Sequence, residues 1–389
     1  MASVLPPPGS NALRSRTYNR GLVLGHLRQE GEAGRAEIAR ASRLSIQAVS
    51  NIIAELSDEG WVVEAGKREG QRGLPAVTYA LSRGSHLALG VEIRPDAVLA
   101  AWIDLGGHVL HTERLALPSA RPEHVLPLVA DLPARGAAAG LRHATVFGAG
   151  VVMPGPIGET GLSDIATQLP GWGDVAPDAV LRDALGLPVT LENDANAAAM
   201  AERILGAAQG LGTFACLYFG TGLGLGLVID GTVFAGAYGN AGEIGHIPVA
   251  TSDGSCALEQ RASRVSLVRA LEADGISVRT VDDMSRQFAA RPPAMVAWLE
   301  GAADALGPAV AMLENLFDPE AIVMTGALPP ALLDELVCRV ALPDRSVSNR
   351  QDRAHPRLIA GTAGRMAATL GAAALVVNTA LSPRLVDAR

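Results

Sequence analysis

Apolar residues recur at helical spacing near the start of the chain. Tyr18, Leu22, Val23 and Leu27 form one stripe, and Val49, Ile53 and Leu56 form another. Between them residues 36–42 predict a short helix, Arg43-Leu44 a turn, and Ser45 an N-cap for the helix that follows. Gly60 ends that helix as a left-handed cap would. Two strand-like runs, 61–64 and 76–81, then flank a basic, Gly-rich tip at 66–73, the pattern of a wing. On the third helix the apolar stripe points inward, which leaves Gln47, Ser50 and Asn51 outward, where short polar side chains can meet base edges. Arg35 and Ser45, with Lys67, Arg68 and Arg72 on the tip, are further candidates for contact with double-stranded DNA. The competing reading is a three-helix protein-interaction module with a solvated hairpin.

Beyond residue 86 the pattern changes. Strands are predicted at 87–93, 98–104, 109–117, 145–152 and 189–191, with a helix near 123–139. A helix at 195–205 leads to strands at 213–219 and 224–229, and a long helix at 301–316 feeds a strand at 321–324. This alternation predicts an α/β fold, with mixed sheets, helices on their faces and a ligand cleft between two lobes. The expected division is a Pro-rich disordered tail at 1–12, a winged helix-turn-helix at 13–82 and a two-lobed domain at 87–389. Lobe one takes about 87–195 plus a returning C-terminal helix at about 366–385, and lobe two about 196–365.

Charge and composition narrow the partners. Residues 1–76 hold ten Lys/Arg against eight Asp/Glu, about +2, so the remainder carries about −10 of the total −8. That sign asymmetry fits DNA at the front and a small molecule behind. No signal peptide is visible, and the apolar run 366–377 is too short to span a bilayer. Three cysteines without pairable spacing suggest a reducing cytoplasm, and Cys216 and Cys338, in apolar runs, read as core.

Candidate chemistry is concentrated between Leu191 and His246. Asn193-Asp194 follows the strand-like run 187–191, so both side chains project from a strand end. A carboxylate there can accept from a hydroxyl or take its proton. The glycines of Gly220-Thr221-Gly222-Leu223-Gly224-Leu225-Gly226 would let the backbone turn tightly and offer N–H groups to an anion. Glu243 and His246, three residues apart, would share the face of a turn. Each motif alone has a bland reading: a helix N-cap, a hairpin, a structural histidine.

In this order the motifs resemble the ROK family of repressors and sugar kinases, within the actin-like ATPase and sugar-kinase (ribonuclease H-like) fold. The resemblance begins at about Leu87 and includes FGAGVVMPGPI and ENLFDPEAIVMTGAL. It implies sugar contacts at Asn193, Asp194, Glu243 and His246, and at Glu259 within SCALEQ, and it makes Asp194 the base of any kinase step. Two departures stand out. Kinases of the family cradle ATP phosphates with D-x-G-G-T in the first hairpin, whereas this chain has Glu92-Ile93-Arg94-Pro95-Asp96, without glycine, with a proline that lacks N–H, and with a repelling carboxylate. Gly326-Ala327 replaces a pair of glycines at the far side. Family members often bind zinc with a His and three cysteines, but IPVATSDGSCALEQ offers Cys256 alone, so no metal is expected.

The expectation is a cytoplasmic regulator, a repressor with no cofactor, that senses a sugar or sugar derivative and binds a DNA operator as a homodimer or homotetramer. The alternatives are an active sugar kinase with a regulatory head and a dimerisation scaffold with an idle pocket.

Overall fold

A computed structural model describes residues 12–68, 76–155, 169–173, 175–251 and 254–381. The first unit contains α1 (Ala12–Glu30), β1 (Glu32–Gly34), α2 (Arg35–Ser42), α3 (Ile46–Asp58), β2 (Val62–Arg68) and β3 (Ala76–Leu81). The three strands pair in the order β1-β3-β2. The predicted stripe closes its core: Val23, Leu27, Val49, Ile53 and Leu56 are all fully buried or nearly so. Ser45 caps α3 by accepting from the Ala48 N–H at 3.1 Å, and Arg43 makes the turn with φ of 58°. After α3, Gly60 adopts φ of 78° and the Trp61 N–H bonds back to Leu56 O at 2.8 Å, which reverses the chain into β2.

Lobe one runs through β4 (His86–Ile93), β5 (Ala97–Asp104), β6 (Val109–Ala116), α4 (Pro122–Gly136), β7 (Thr145–Met153), α5 (Pro177–Leu185), β8 (Val189–Asn193) and α6 (Asp194–Leu205). Its sheet has the order β6-β5-β4-β7-β8, with β4 antiparallel to β5 and parallel to β7. Every residue of β4 and β5 is buried, because helices cover the sheet. Lobe two contains β9 (Phe214–Phe219), β10 (Leu223–Ile229), β11 (Thr232–Val233), β12 (Pro248–Thr251), β13 (Gly254–Ala257), α7 (Leu258–Arg261), α8 (Arg264–Ala273), α9 (Val281–Ala290), α10 (Pro293–Phe317), β14 (Ala321–Gly326), α11 (Pro330–Arg339) and β15 (Leu358–Ala360), and α12 (Ala367–Leu381) follows. Its main sheet is β11-β10-β9-β14-β15. The α/β architecture is thus the expected one.

Several details differ from the sequence expectation. Helix α10 begins eight residues before 301, because Pro293 at its first turn tolerates the unpaired N–H there. Cys338 is exposed, not core: the buried stripe of α11 is Leu332, Leu333 and Leu336, and residue 338 falls on the other face. Two segments, Pro293–Phe317 and Gly364–Leu381, are long and apolar enough to cross a membrane, but 50% and 67% of their most apolar windows are buried inside the protein.

Helix α12 ties the units together. It lies so close on the lobe-one sheet that a Cβ on Gly90 or Gly150 would sit 2.0 Å from the carbonyl of Thr369 or Ala372. The same helix reaches the N-terminal unit, where Gly25 of α1 meets the Leu381 carbonyl and Arg28 donates to Asn378 Oδ1 at 3.5 Å. Val23, Leu27, Ile53 and Tyr79 therefore share one apolar cluster with Ala88, Ile103 and Val377. Trp61 adds a stacked contact with His86, centroids 4.3 Å apart.

Candidate functional site

The chain reaches the cleft through the β8–α6 junction. Asn193, not Asp194, is the N-cap: its Oδ1 accepts from the Ala195 and Asn196 N–H groups at 2.8 and 3.4 Å. Glu192 supports the junction by accepting from its neighbours Asn193 N and Asn196 Nδ2. With its oxygen committed, Asn193 presents its Nδ2 to the cleft side. There Gly155 leaves room, since a Cβ on it would lie 2.9 Å from Asn193 Nδ2 and 3.0 Å from Glu243 Oε1. Asn193 and Glu243 thus converge on one point.

Glu243 and His246 flank a single helical turn at Ile244–His246 and stand 3.7 Å apart, Oε2 to Nε2. Glu259, on α7, approaches from the third side: a Cβ on Gly222 would lie 2.4 Å from its Oε2, and one on Gly245 3.3 Å from it. Asp194 Oδ2 lies beside Gly220. Contacts thus join Asn193 to Glu243 and Glu243 to His246, Glu259 stands beside Gly222 and Gly245, and Asp194 lines a cavity with Glu92, Arg94 and Tyr218.

The glycine run works differently from the expectation. None of Gly220, Gly222, Gly224 and Gly226 has positive φ, so none is there to allow a left-handed turn. They permit close approach instead. A Cβ on Gly226 would sit 2.4 Å from the Ala195 carbonyl, so the hairpin seats α6 and brings Asp194 to the cleft.

Electrostatics set Asp194 apart. Burial, then the charge of Glu92 and more weakly that of Glu243, push its carboxyl up to about 7, against the Ala195 N–H bond and Arg94. Burial also raises Glu243, with His246 opposing and Glu259 adding to the effect. At neutral pH Asp194 can hold or release a proton, as a hydroxyl-binding or proton-accepting group must.

The first hairpin closes tightly, with the Arg94 N–H bonded to Ala97 O at 2.8 Å. Arg94 folds back: its Nε donates to Glu92 Oε1 at 2.6 Å and its Nη2 to Arg365 O at 3.0 Å. Asp96, expected to repel a phosphate, is paired with Arg114 at 2.5 Å, both more than half exposed. Opposite, Gly326 holds φ of 130° with Phe219 O where a Cβ would be, and Ala327 lines the cavity. Sequence reasoning missed Gly155 and Arg264, and it named Glu92 only as part of the turn, not as the partner of Arg94 and the charge acting on Asp194. Arg264 is 70 positions from Asp194, and its one local signal is the Ser263–Ser266 capping box of α8.

A zinc ion does not fit this donor set. Among the described residues no three His, Cys, Asp or Glu side chains converge as a metal site requires. Cys256 stands on β13 opposite Val249, part of a hairpin where a thiolate-rich loop would be needed.

The N-terminal unit presents α3 to solvent. Gln47 and Asn51 are exposed and hydrogen-bonded to each other, Nε2 to Oδ1, at 3.0 Å. Ser50 is half-buried and donates to Ile46 O, which lowers its capacity to read a base. Ile46, 60% exposed at the start of α3, is an apolar group that sequence reasoning did not single out. Ser45 is exposed but occupied as a cap, and Arg35 lies 5.1 Å over the Tyr79 ring. Lys67 is exposed on β2, whereas Arg68 is paired with Glu32 at 2.9 Å and Glu37 at 3.5 Å. Arg72 lies outside the described residues.

Comparison with known proteins places this geometry. The model of the ROK family matches residues 88–379. The xylose repressor of Caldicellulosiruptor bescii is 29% identical over 332 residues, 79% of this chain and 83% of that protein. The glucokinase of Streptomyces coelicolor is 30% identical over 268 residues, 62% of this chain and 82% of the kinase, so both repressors and kinases are relatives. A solved ROK family transcriptional regulator, described as a homologue of the E. coli Mlc protein, superposes with a TM-score of 0.75 at 24% identity. It covers 95% of this chain and 97% of that one, the N-terminal unit included, which shows a shared fold. The chain belongs to the ROK family.

Proposed function

We propose that the protein is a sugar-responsive transcriptional repressor whose ROK domain binds a sugar or sugar derivative without phosphorylating it. The carrying observation is a juxtaposition: Asn193 and Glu243 meet at Gly155, Glu243 pairs with His246, Glu259 stands at Gly222 and Gly245, and Asp194 lines the cavity whose other wall is the turn Glu92-Ile93-Arg94-Pro95. Sugar hydroxyls bond to the first set. The turn has no glycine for close backbone approach, its Pro95 has no N–H, and Arg94 gives its Nε to Glu92 and its Nη2 to the Arg365 carbonyl. Xylose repressors among the relatives support the same reading.

The DNA contact is made by α3 and the wing, with Gln47 and Asn51 reading bases and Lys67 and Arg72 touching backbone; Arg68, held by Glu32 and Glu37, contributes less. The protein works in the cytoplasm as a homodimer or homotetramer on a pseudo-palindromic operator. Ligand closure reaches the head through α12, which bonds to Glu92 through Thr369 at 2.6 Å and to α1 at its far end. The test is a duplex selected from a random library by the purified protein, followed by an ADP-release assay with ATP, Mg²⁺ and a panel of sugars. A selected operator and no ADP above blank are expected. Turnover near one per second or faster would overturn the kinase-inactive reading.

One observation favours the kinase alternative. Asp194 near 7 has the proton affinity of a general base, and the same assay decides between the two.

A further inference from the structure

The cleft holds a cation that binding of neutral hydroxyls does not use. Arg94, from the β4–β5 turn, and Arg264, the first residue of α8, line the same cavity as Asp194, Tyr218 and Gly220. Arg94 has its counter-ion: Glu92 takes its Nε, and the other Glu92 oxygen accepts from Thr369 Oγ1, so Glu92 is fully engaged. Arg264 has none. Its Nε donates to the Gly220 carbonyl at 3.2 Å, and among the described residues it makes no ion pair. Burial, then the neighbouring Arg94 cation, pulls its guanidinium below the ordinary value, with Asp96 and Tyr218 opposing.

A half-buried cation beside another, with Asp96 near but no carboxylate in direct contact, gains when an anion joins them. The guanidinium fork suits phosphate or carboxylate oxygens, and Nη1 and Nη2 of Arg264 have no partner among the described residues. The backbone cradle for a triphosphate is missing from the same wall, which argues against a nucleotide. The sugar-facing Asp194 lines the same cavity, so an acidic group on the sugar itself would reach the arginines.

We infer that Arg264, with Arg94 beside it, forms an anion subsite in the cleft, and that the effector is an acidic sugar, carrying a phosphate or a carboxylate, and not a neutral one. This rests on the sugar reading of Asn193, Asp194, Glu243 and His246. The test is calorimetric titration of the full-length protein with xylose, glucose and N-acetylglucosamine, with their phosphates and uronic acids, and with inorganic phosphate and ADP, repeated on Arg264→Met and Arg264→Lys. Operator binding without ligand monitors the fold of both variants.

One acidic sugar is expected to bind at least about tenfold tighter than its neutral parent, the loss typical of one charged hydrogen-bonding partner. Arg264→Met should erase that ratio by weakening the acidic sugar far more than its neutral parent, and Arg264→Lys should keep part of it. Comparison of phosphates with uronic acids names the anion. Equal binding of acidic and neutral sugars, or a ratio untouched by Arg264→Met, overturns the proposal, and so does ADP binding tighter than every sugar. If no sugar binds but inorganic phosphate does, dependent on Arg264, the sugar reading fails and the anion subsite stands. If neither binds, both fall.

Discussion

Asp194→Asn separates the cost of the cleft from its use. The folded protein holds a proton on Asp194 up to about pH 7, whereas an unfolded chain releases it near the ordinary 3.8. The stability this site contributes is therefore fully present below about pH 4 and lost as pH rises through about 7. At about 1.4 kcal/mol for each pH unit, the loss reaches at most about 4 kcal/mol at pH 8, of which roughly 2–3 kcal/mol accrues above pH 5. Asparagine keeps the size and can still accept the Ala195 N–H, held now at 2.9 Å, but carries no charge. Unliganded Asp194→Asn should thus gain stability over wild type, and gain more at pH 8 than at pH 5 by about 3 °C in Tm for a chain of this length. Ligand binding should move the other way. A charged acceptor is worth about 1–2 kcal/mol more than a neutral one, so wild-type affinity for the sugar should rise roughly five- to thirtyfold as pH climbs through about 7 and then level off. The variant should bind weakly and without this slope. Thermal melts and calorimetric titrations at pH 5 to 8 measure both. A melting difference independent of pH would refute the raised carboxyl, and a pH slope that survives in the variant would refute its contact with the ligand.

Other outcomes follow from single groups. Gly155→Ala should cost at least about tenfold in sugar affinity and leave ligand-free operator binding alone, because the new methyl would crowd Asn193 Nδ2 and Glu243 Oε1; calorimetry and fluorescence anisotropy check this. Fully buried Glu202 accepts from Thr325 Oγ1 and from the Ala207, Thr362 and Ala363 N–H groups, so Glu202→Gln would set its amide nitrogen against at least one backbone donor whichever way it turned. About 3–5 kcal/mol of stability should be lost, visible in urea denaturation as a lower midpoint. Replacing Asn51 by Ala should relax base preference at one operator position by about 1–3 kcal/mol, whereas Lys67→Ala should weaken all duplexes alike and lower the salt slope by about one; binding to single-base operator variants at several salt concentrations distinguishes them.

The helical stripes of the head were legible because every third or fourth residue repeats the same choice, and Val49, Ile53 and Leu56 are indeed buried. Legible too was the strand-to-helix junction at Asn193-Asp194, since an apolar run stops there and an Ala-rich one starts. Which of the two side chains caps the helix was not, because both residue types cap equally well and only the backbone angle at Asn193 decides. The glycines of β10 were read as turn formers. Their purpose is the close seating of α6, a contact between elements that no local spacing encodes. For the same reason Arg264 escaped notice: it meets Glu92 through the fold across 172 residues. The sharing of one apolar cluster between head and lobe one likewise depends on α12 returning from the end of the chain.

Titration of a fluorescent operator duplex with the protein, at fixed salt, with and without the best-binding sugar, tests the central claim most directly. The sugar should shift operator affinity by roughly five- to 150-fold, the span of about 1–3 kcal/mol of coupling, and the operator should shift sugar affinity by the same factor. Asp194→Asn should show no shift at the same sugar concentration. Operator affinity that ignores every bound sugar would contradict that claim.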